Sequence, residues 1–409
     1  MHKHVRSTGI AAGLVSVLFA TAAHAEDETR EAWRLFVTDQ EQAKVSVIDP
    51  ADGTLIDAYA TTGYVTHLVP SESGATLAAV QMDHDVVHVI KSGITLSGHG
   101  DHSDIEVGAP ALLPVTLAGK RPVHAVMHGD EIVQFFDREG EARAYREKDL
   151  LEGDAAYEAV KATAPHHGVA VPMGDYFLIS TPNLDVETKA GDLPPRLGLN
   201  VLDESGGQIG ETAPCTGLHG EAYSAGFVAF GCDEGVLLAR PDGGNAPKQD
   251  MLAYGDDLPA GRVSHLIGGK AMQFFFGDYG ADKLTIIDPS SEAPYRIVDL
   301  PVRHVHFLLD DARVKYAYVF TEDGQLHAVD VLSGAVVRSR KITDPYSKDG
   351  HWRDPRPRIA LMHDLIAVTD PREHLVRLVD AESFEEVRTI PVEGLPFNIV
   401  AIGGSGLEH

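Results

Sequence analysis

The apolar and polar positions of the chain fall into a unit that recurs along most of its length. The clearest copy lies near the C-terminal end, where PRIALMHD, LIAVTDP, HLVRLVDAES and FEEVRTIPV form four short apolar or alternating runs. Turn residues separate them, and the period of two is that of strands. Sister units begin at His67 (HLVPSESGATLAAVQMD), His124 (HAVMHGDEIVQFFDREG), His167 (HGVAVPMGDYFLIST), His219 (HGEAYSAGFVAFGCDEG), His265 (HLIGGKAMQFFFGDYG) and His306 (HFLLDDARVKYAYVFTEDG), and the register continues at Arg358 and Asn398. Successive starts are 57, 43, 52, 46, 41, 52 and 40 residues apart. Four strands in such a span make one blade of a β-propeller.

The two ends complete the count. RLFVTD, KVSVIDP and TLIDAYA are three strands without a first one, and NIVAIGG is a first strand with nothing after it. Joined, they make one more blade and remove an open sheet edge. The pattern therefore predicts an all-β, eight-bladed β-propeller closed by pairing of the N- and C-terminal strands. Seven blades are the alternative, should one long unit be wrongly divided. Little helix is expected, and residues 148–161, in an insertion, are the best candidate for it.

The first 25 residues read as a secretory signal. Lys3 and Arg6 give a basic start, Ile10 to Ala20 an apolar run, and Ala23-His24-Ala25 a small-x-small cleavage pattern. The run is short for a membrane span; an uncleaved anchor is the alternative. No lipidation cysteine follows, so the periplasm of a Gram-negative bacterium is the expected compartment. Residues 26–406 then form a single propeller domain, expected as a monomer without a membrane span, and Leu407-Glu408-His409 read as a cloning scar.

Charge narrows the partners. The formal net charge is −27. Residues 1–25 hold two basic and no acidic residues, so the remainder stands at −29. That balance argues against nucleic acid and anionic membranes and suits a protein that attracts cations. The two cysteines, Cys215 and Cys232, lie 17 residues apart. In an oxidising compartment they read as a disulfide, with a pair of thiolate metal ligands as the alternative.

Histidine supplies the candidate chemistry. It makes up 21 of 409 residues, yet six of the eight units carry it just before the innermost strand. That position lies at one mouth of the central channel. His67, His124, His167, His219, His265 and His306 would therefore gather near the axis. The turns after the second strands carry Asp39, Asp83, Asp85, Asp137, Asp233, Asp278, Asp323 and Asp370 on the same face, further out. Imidazole nitrogen with carboxylate close by is a donor set for zinc. A tetrahedral ion takes only three or four ligands, so neighbouring blades are the best choice: His124, His167 and His219, with His67 or His265 next. A structural reading stands beside this one, since turn aspartates commonly bond their own backbone and a lone channel histidine is commonly a hydrogen-bonded filler.

A second cluster is local. Residues 98–104 read Gly-His-Gly-Asp-His-Ser-Asp, bringing His99, Asp101, His102 and Asp104 together, with glycines free to fold the loop onto one point. A solvated polar loop is the alternative. His84, His88, His128 and His304 are weaker candidates. No phosphate-binding glycine loop, nucleophile elbow or metalloprotease helix occurs, and no acidic residue stands out as a catalytic base.

The signal, the eight units, the loop GHGDHSD, the stretch RPVHAVMHGDEIVQFFD and the unit CTGLHGEA together resemble the AztD-type periplasmic zinc metallochaperones, over roughly residues 35–404. The resemblance implies a non-catalytic protein that binds zinc in the periplasm and hands it to the solute-binding protein of a zinc ABC transporter. It implies channel-face ligands at His124, His167 and His219 and a loop site at His99, His102 and Asp104. Family members tend to carry a His- and Asp-rich segment after the signal. Here Glu26-Asp27-Glu28-Thr29-Arg30-Glu31 is acidic without histidine, so an N-terminal capture site is not expected. Two rival functions share the same residues: a metal-dependent propeller hydrolase or oxidoreductase, and an interaction or zinc-storage propeller. Imidazole ligation predicts binding that weakens as pH falls through about 6.5.

Overall fold

The computed structural model describes Met1 and residues 31–99, 102–310 and 313–405, with the backbone alone at 98, 99, 102, 103 and 405. Apart from Met1, the proposed signal and the proposed C-terminal scar lie outside the described residues. Eight four-stranded antiparallel sheets form the ring, and a two-stranded hairpin is appended to one of them. Blades 1 to 7 start with the innermost strands His67–Pro70, Pro122–His128, Ala170–Met173, His219–Ser224, Leu266–Ile267, His304–Leu309 and Ile359–Met362. Blade 8 takes its innermost strand, Pro396–Ser405, from the C-terminal end and its other three from Glu31–Asp39, Lys44–Ile48 and Leu55–Ala60. The closing pair runs antiparallel with Phe36 opposite Val400 and Glu31 opposite Ser405, as the incomplete ends of the sequence predict.

Hydropathy explains the order of strands within a blade. Second strands such as Thr76–Gln81 are buried throughout, because both faces pack against neighbouring blades. Outermost strands such as Val336–Lys341 are exposed nearly throughout. Apolar clusters fill the spaces between blades; Phe135, Val171, Leu178 and Phe230 belong to the one spanning blades 2 to 4. Full burial of each such side chain stabilises the fold by roughly 1.5–3 kcal/mol. Cys215 and Cys232 form a buried disulfide with Cα atoms 4.9 Å apart. It ties the end of blade 3 to the second strand of blade 4 and braces the segment leading to His219.

The helix expected over 148–161 is a correction. Only Glu147–Glu152 is helical, and Tyr157–Lys161 is the outermost strand of blade 2, with Lys161 opposite Glu141. Gly153 ends the helix in a left-handed conformation (φ 88°), which glycine adopts without a Cβ penalty. Buried Glu147 anchors the turn to blade 1 by accepting the Thr76 hydroxyl (2.6 Å) and the Ser73 hydroxyl (2.7 Å).

Two insertions matter for the site. The hairpin Ile94–His99/His102–Val107 extends blade 1, and Leu96 packs where Gly404 ends the closing strand. That strand starts at the mouth that holds the histidines, so the body of the hairpin lies at the opposite end of the channel. The side chains of His99, Asp101 and His102 are outside the described residues; Asp104 is exposed. The 17-residue connection between Lys341 and Ile359 crosses the histidine mouth as a strap. Arg353 from it pairs with Asp83 of blade 1, and its carbonyl accepts from Gln40 of blade 8 (2.6 Å).

Candidate metal centre

Bulges in the innermost strands set the histidine side chains. The register shifts between Pro122 and Ala125, between His219 and Glu221, and between His304 and His306. Such bulges re-aim a side chain out of the regular pleat. At blade 4 the bulge needs Gly220, whose φ is 72° and whose added Cβ would meet the Ser264 carbonyl at 2.8 Å.

Blades 2, 3 and 4 bring three rings together. The ring centres of His124 and His167 are 4.8 Å apart, and each lies 6.0 Å from that of His219. The Nε2 atoms of His124 and His167 face each other at 3.3 Å. Zn–N bonds of about 2.0–2.1 Å at a tetrahedral angle place two ligand nitrogens about 3.3–3.4 Å apart, so this pair already has the spacing of one coordination edge. Around such an ion ring centres stand about 5 Å apart, and the His219 ring, 6.0 Å from each, stands about 1 Å outside that spacing. Among the described residues no group of three or more His, Cys, Asp or Glu is already closed as a metal site.

The partners of the other ring nitrogens fix the tautomers. His167 Nδ1 is 2.8 Å from Asp137 Oδ2. An ionised carboxylate only accepts, so Nδ1 carries the hydrogen and Nε2 presents its lone pair. His219 Nδ1 donates in the same way to the Ser264 carbonyl (2.8 Å). Both partners are of the kind that orient zinc-ligating histidines from behind. Glu221 Oε2 stands 4.0 Å from His124 Nδ1.

The surroundings keep the His124 and His219 imidazoles neutral. Burial first, then the neighbouring His167 and Arg196, hold His124 well below its ordinary pKa. His219 is lowered to about 4 by burial and then Arg196, although its ring edge is open at the rim of the mouth. Burial raises the Glu221 carboxyl to about 7. Arg196, itself buried, donates to the carbonyls of His167 and Leu218 and so fixes the backbone at two ring-bearing segments. Sequence reasoning missed Arg196 and Glu221. Glu221 was within reach of it, two positions after His219 on the same strand; Arg196 opens a third strand and carries no local signal.

The remaining histidines divide. His67 stands beside the cluster and stacks on Trp352 of the strap (centres 6.3 Å, planes 12° apart); burial, followed by His167, lowers it to about 4. His265, at the start of the neighbouring blade 5, packs edge-on against Phe307 at 5.0 Å. His306 accepts the Ile359 amide on Nδ1 (3.1 Å), which leaves its Nε2 to carry the hydrogen and no lone pair for a metal. His166, next to His167 in sequence, is a core residue bonded to the Ala164 carbonyl and the Ser180 hydroxyl. His128 lies at the opposite end of its strand, stacked on Tyr223. His88 Nε2 meets the Thr62 hydroxyl (3.3 Å).

The turn carboxylates have structural partners. Asp39 and Asp278 accept backbone amides, Asp83, Asp85, Asp233 and Asp370 pair with Arg353, Lys120, Arg262 and Arg377, and Asp323 bonds Thr321 and Gln325. Asp137 differs in meeting a histidine of the cluster.

Neutral burial has a consequence for stability. His67, His166, His219 and His304 titrate near 4 in the folded chain and near 6.5 when unfolded. The unfolded chain therefore binds more protons below 6.5, and stability falls with pH there. The expected result is a melting temperature of the metal-free protein that is steady above about pH 6.5 and drops continuously towards pH 4. A flat profile across that window would contradict the neutral assignment.

A closed ring of eight blades with imidazoles gathered at one mouth defines the class: a β-propeller with a histidine-lined channel opening. No family model matches the chain. It is 45% identical over its whole length to the zinc chaperone AztD of Citrobacter koseri, spanning 95% of that protein. The crystal structure of Citrobacter koseri AztD superposes with a TM-score of 0.88 at 46% identity, over 93% of this chain and 100% of that one. The structure of apo AztD from the same organism gives 0.86 at 45%, over 92% and 99%. The chain belongs to the AztD zinc chaperone family.

Proposed function

We propose that this protein is a periplasmic zinc metallochaperone that carries one ion between His124, His167 and His219 and delivers it to the solute-binding protein of a zinc ABC transporter. The observation that carries the reading is the pair of Nε2 atoms 3.3 Å apart, with Nδ1 of His167 committed to Asp137. Membership of a family named for a zinc chaperone supports the metal and the absence of a reaction of its own. The periplasm follows from the signal-like N-terminus.

The geometry suits hand-off as well as capture. His124 is deep and His219 lies open at the rim. Three protein ligands leave a fourth position for water or an incoming ligand. A partner donor entering from the mouth takes that position first and then displaces His219, so the ion is never free.

The test is zinc transfer. Untagged protein loaded with one equivalent of zinc is mixed with the candidate solute-binding protein, separated, and both are analysed for metal. The expected result is near-stoichiometric zinc that reaches the partner faster than it escapes to a chelator. Zinc that appears on the partner only at the chelator-limited rate would contradict delivery, and protein that takes up no zinc would contradict binding itself.

A further inference from the structure

The mouth has a second half, and its chemistry is opposite to that of the first. At the position where the first six blades carry histidine, blade 7 carries Arg358. Its guanidinium lies 4.9 Å over the Phe397 ring, and one Nη reaches the Val305 carbonyl at 3.3 Å. Lys348 enters from the strap. Among the described residues neither side chain has a carboxylate ion pair, whereas their neighbours Arg303, Arg353 and Arg356 pair with Glu322, Asp83 and Asp354. Burial and then the Arg358 and Arg356 guanidiniums hold the Lys348 ammonium below its ordinary value, so the two cations oppose each other. Asp278 is the carboxylate whose charge reaches Lys348, His265 and His304. Its oxygens are already taken by the amides of Ser264 and His265 and by the Ser264 hydroxyl, at 2.6–2.8 Å. A third donor is tied to Arg358 through the chain: Arg358 reaches the carbonyl of Val305, the residue before His306, and His306 Nδ1 accepts the amide of Ile359, the residue after Arg358, so its Nε2 carries the hydrogen.

We infer that Arg358, Lys348 and the Nε2–H of His306 form a binding site for a carboxylate anion, across the channel mouth from the histidine cluster. Two unpaired cations and a neutral N–H donor, with no free acceptor among them, match a carboxylate and repel a metal ion. In a chain of net charge −27, cations left without a carboxylate in a partly buried place are costly unless an anion joins them. The carboxylate comes either from a small free acid or from an Asp or Glu side chain of a protein docking at the mouth.

The site is independent of zinc, so the test uses the full-length, chelator-treated protein at low ionic strength. Citrate and a short Asp/Glu-rich peptide are titrated calorimetrically into wild type, Arg358→Met and Lys348→Met. The expected result is 1:1 binding of at least one probe, weakened ~10-fold or more in each variant, as loss of a charge-assisted hydrogen bond implies. Citrate alone binding assigns a free acid; the peptide alone binding assigns a partner side chain. Because each substitution removes a cation that repels its neighbour, Lys348→Met is expected to melt no lower than wild type, which keeps the test open should Arg358→Met fold poorly. Failure of both probes to bind wild type, or wild-type affinity in a folded variant of either residue, would overturn the inference.

Discussion

His124→Ala and His167→Ala are each expected to weaken zinc binding by at least ~100-fold. Mutating a residue that only orients a ligand typically costs 10–100-fold in metal affinity, and removing a donor nitrogen costs more. Without His124 the set is His167 and His219, whose ring centres are 6.0 Å apart. The fold should tolerate the change. The His124 carbonyl, not its ring, accepts from Gln134 (3.0 Å), and alanine keeps that bond. His306→Ala is the matched control, since the Nδ1 of His306 is engaged with the Ile359 amide; it should leave zinc affinity unchanged. Competition titration with a chromophoric chelator measures all three. Wild-type affinity in both His124→Ala and His167→Ala would remove the channel mouth as the zinc site.

Asp137→Asn is expected to weaken zinc binding 10- to 100-fold without removing any ligand. Asp137 is fully buried. Its Oδ2 accepts from His167 Nδ1, and its Oδ1 accepts the Gly168 amide (3.3 Å). The carboxylate admits only the tautomer with hydrogen on Nδ1. An amide can turn its NH2 towards the ring, which favours hydrogen on Nε2 and blocks the lone pair that would bind zinc. It also takes away the negative charge behind the imidazole. Since asparagine is close to isosteric, the melting temperature of the metal-free protein should move far less than the zinc affinity. Equal affinity of the variant and wild type would show that Asp137 serves the fold, through the Gly168 amide and Arg121, and not zinc binding.

The propeller was legible because its period is carried by many residues at once. Buried second strands, exposed outer strands and turn residues agree in every blade, and the unmatched ends complete blade 8. The disulfide was legible from two cysteines and the oxidising compartment expected from the N-terminal segment. The short helix was misread because Lys148 to Lys161 holds good helix formers, while Gly153 ends the helix and blade 2 still needs its fourth strand. At the site, spacing placed six histidines on one mouth but could not tell them apart. What separates His167 from His306 is which ring nitrogen its neighbours occupy, and those neighbours, Asp137 and the Ile359 amide, come from other strands. Bulges at His124, His219 and His306 add a rotation that no period-two pattern contains. The turn aspartates were read as carboxylates near the metal or as turn residues bonding their own backbone; Asp39 and Asp323 bond residues two or three positions away, whereas Asp83, Asp85 and Asp233 pair with Arg353, Lys120 and Arg262 from distant parts of the chain. The mouth also carries cations that composition alone conceals.

The most direct measurement of the central claim is a crystal structure of the zinc-loaded protein with anomalous data at the zinc edge. The account predicts a peak at the mouth within about 2.0–2.1 Å of Nε2 of His124, His167 and His219, with His219 shifted inwards. A fully loaded protein whose anomalous peaks all lie elsewhere, with none between these three rings, would contradict it.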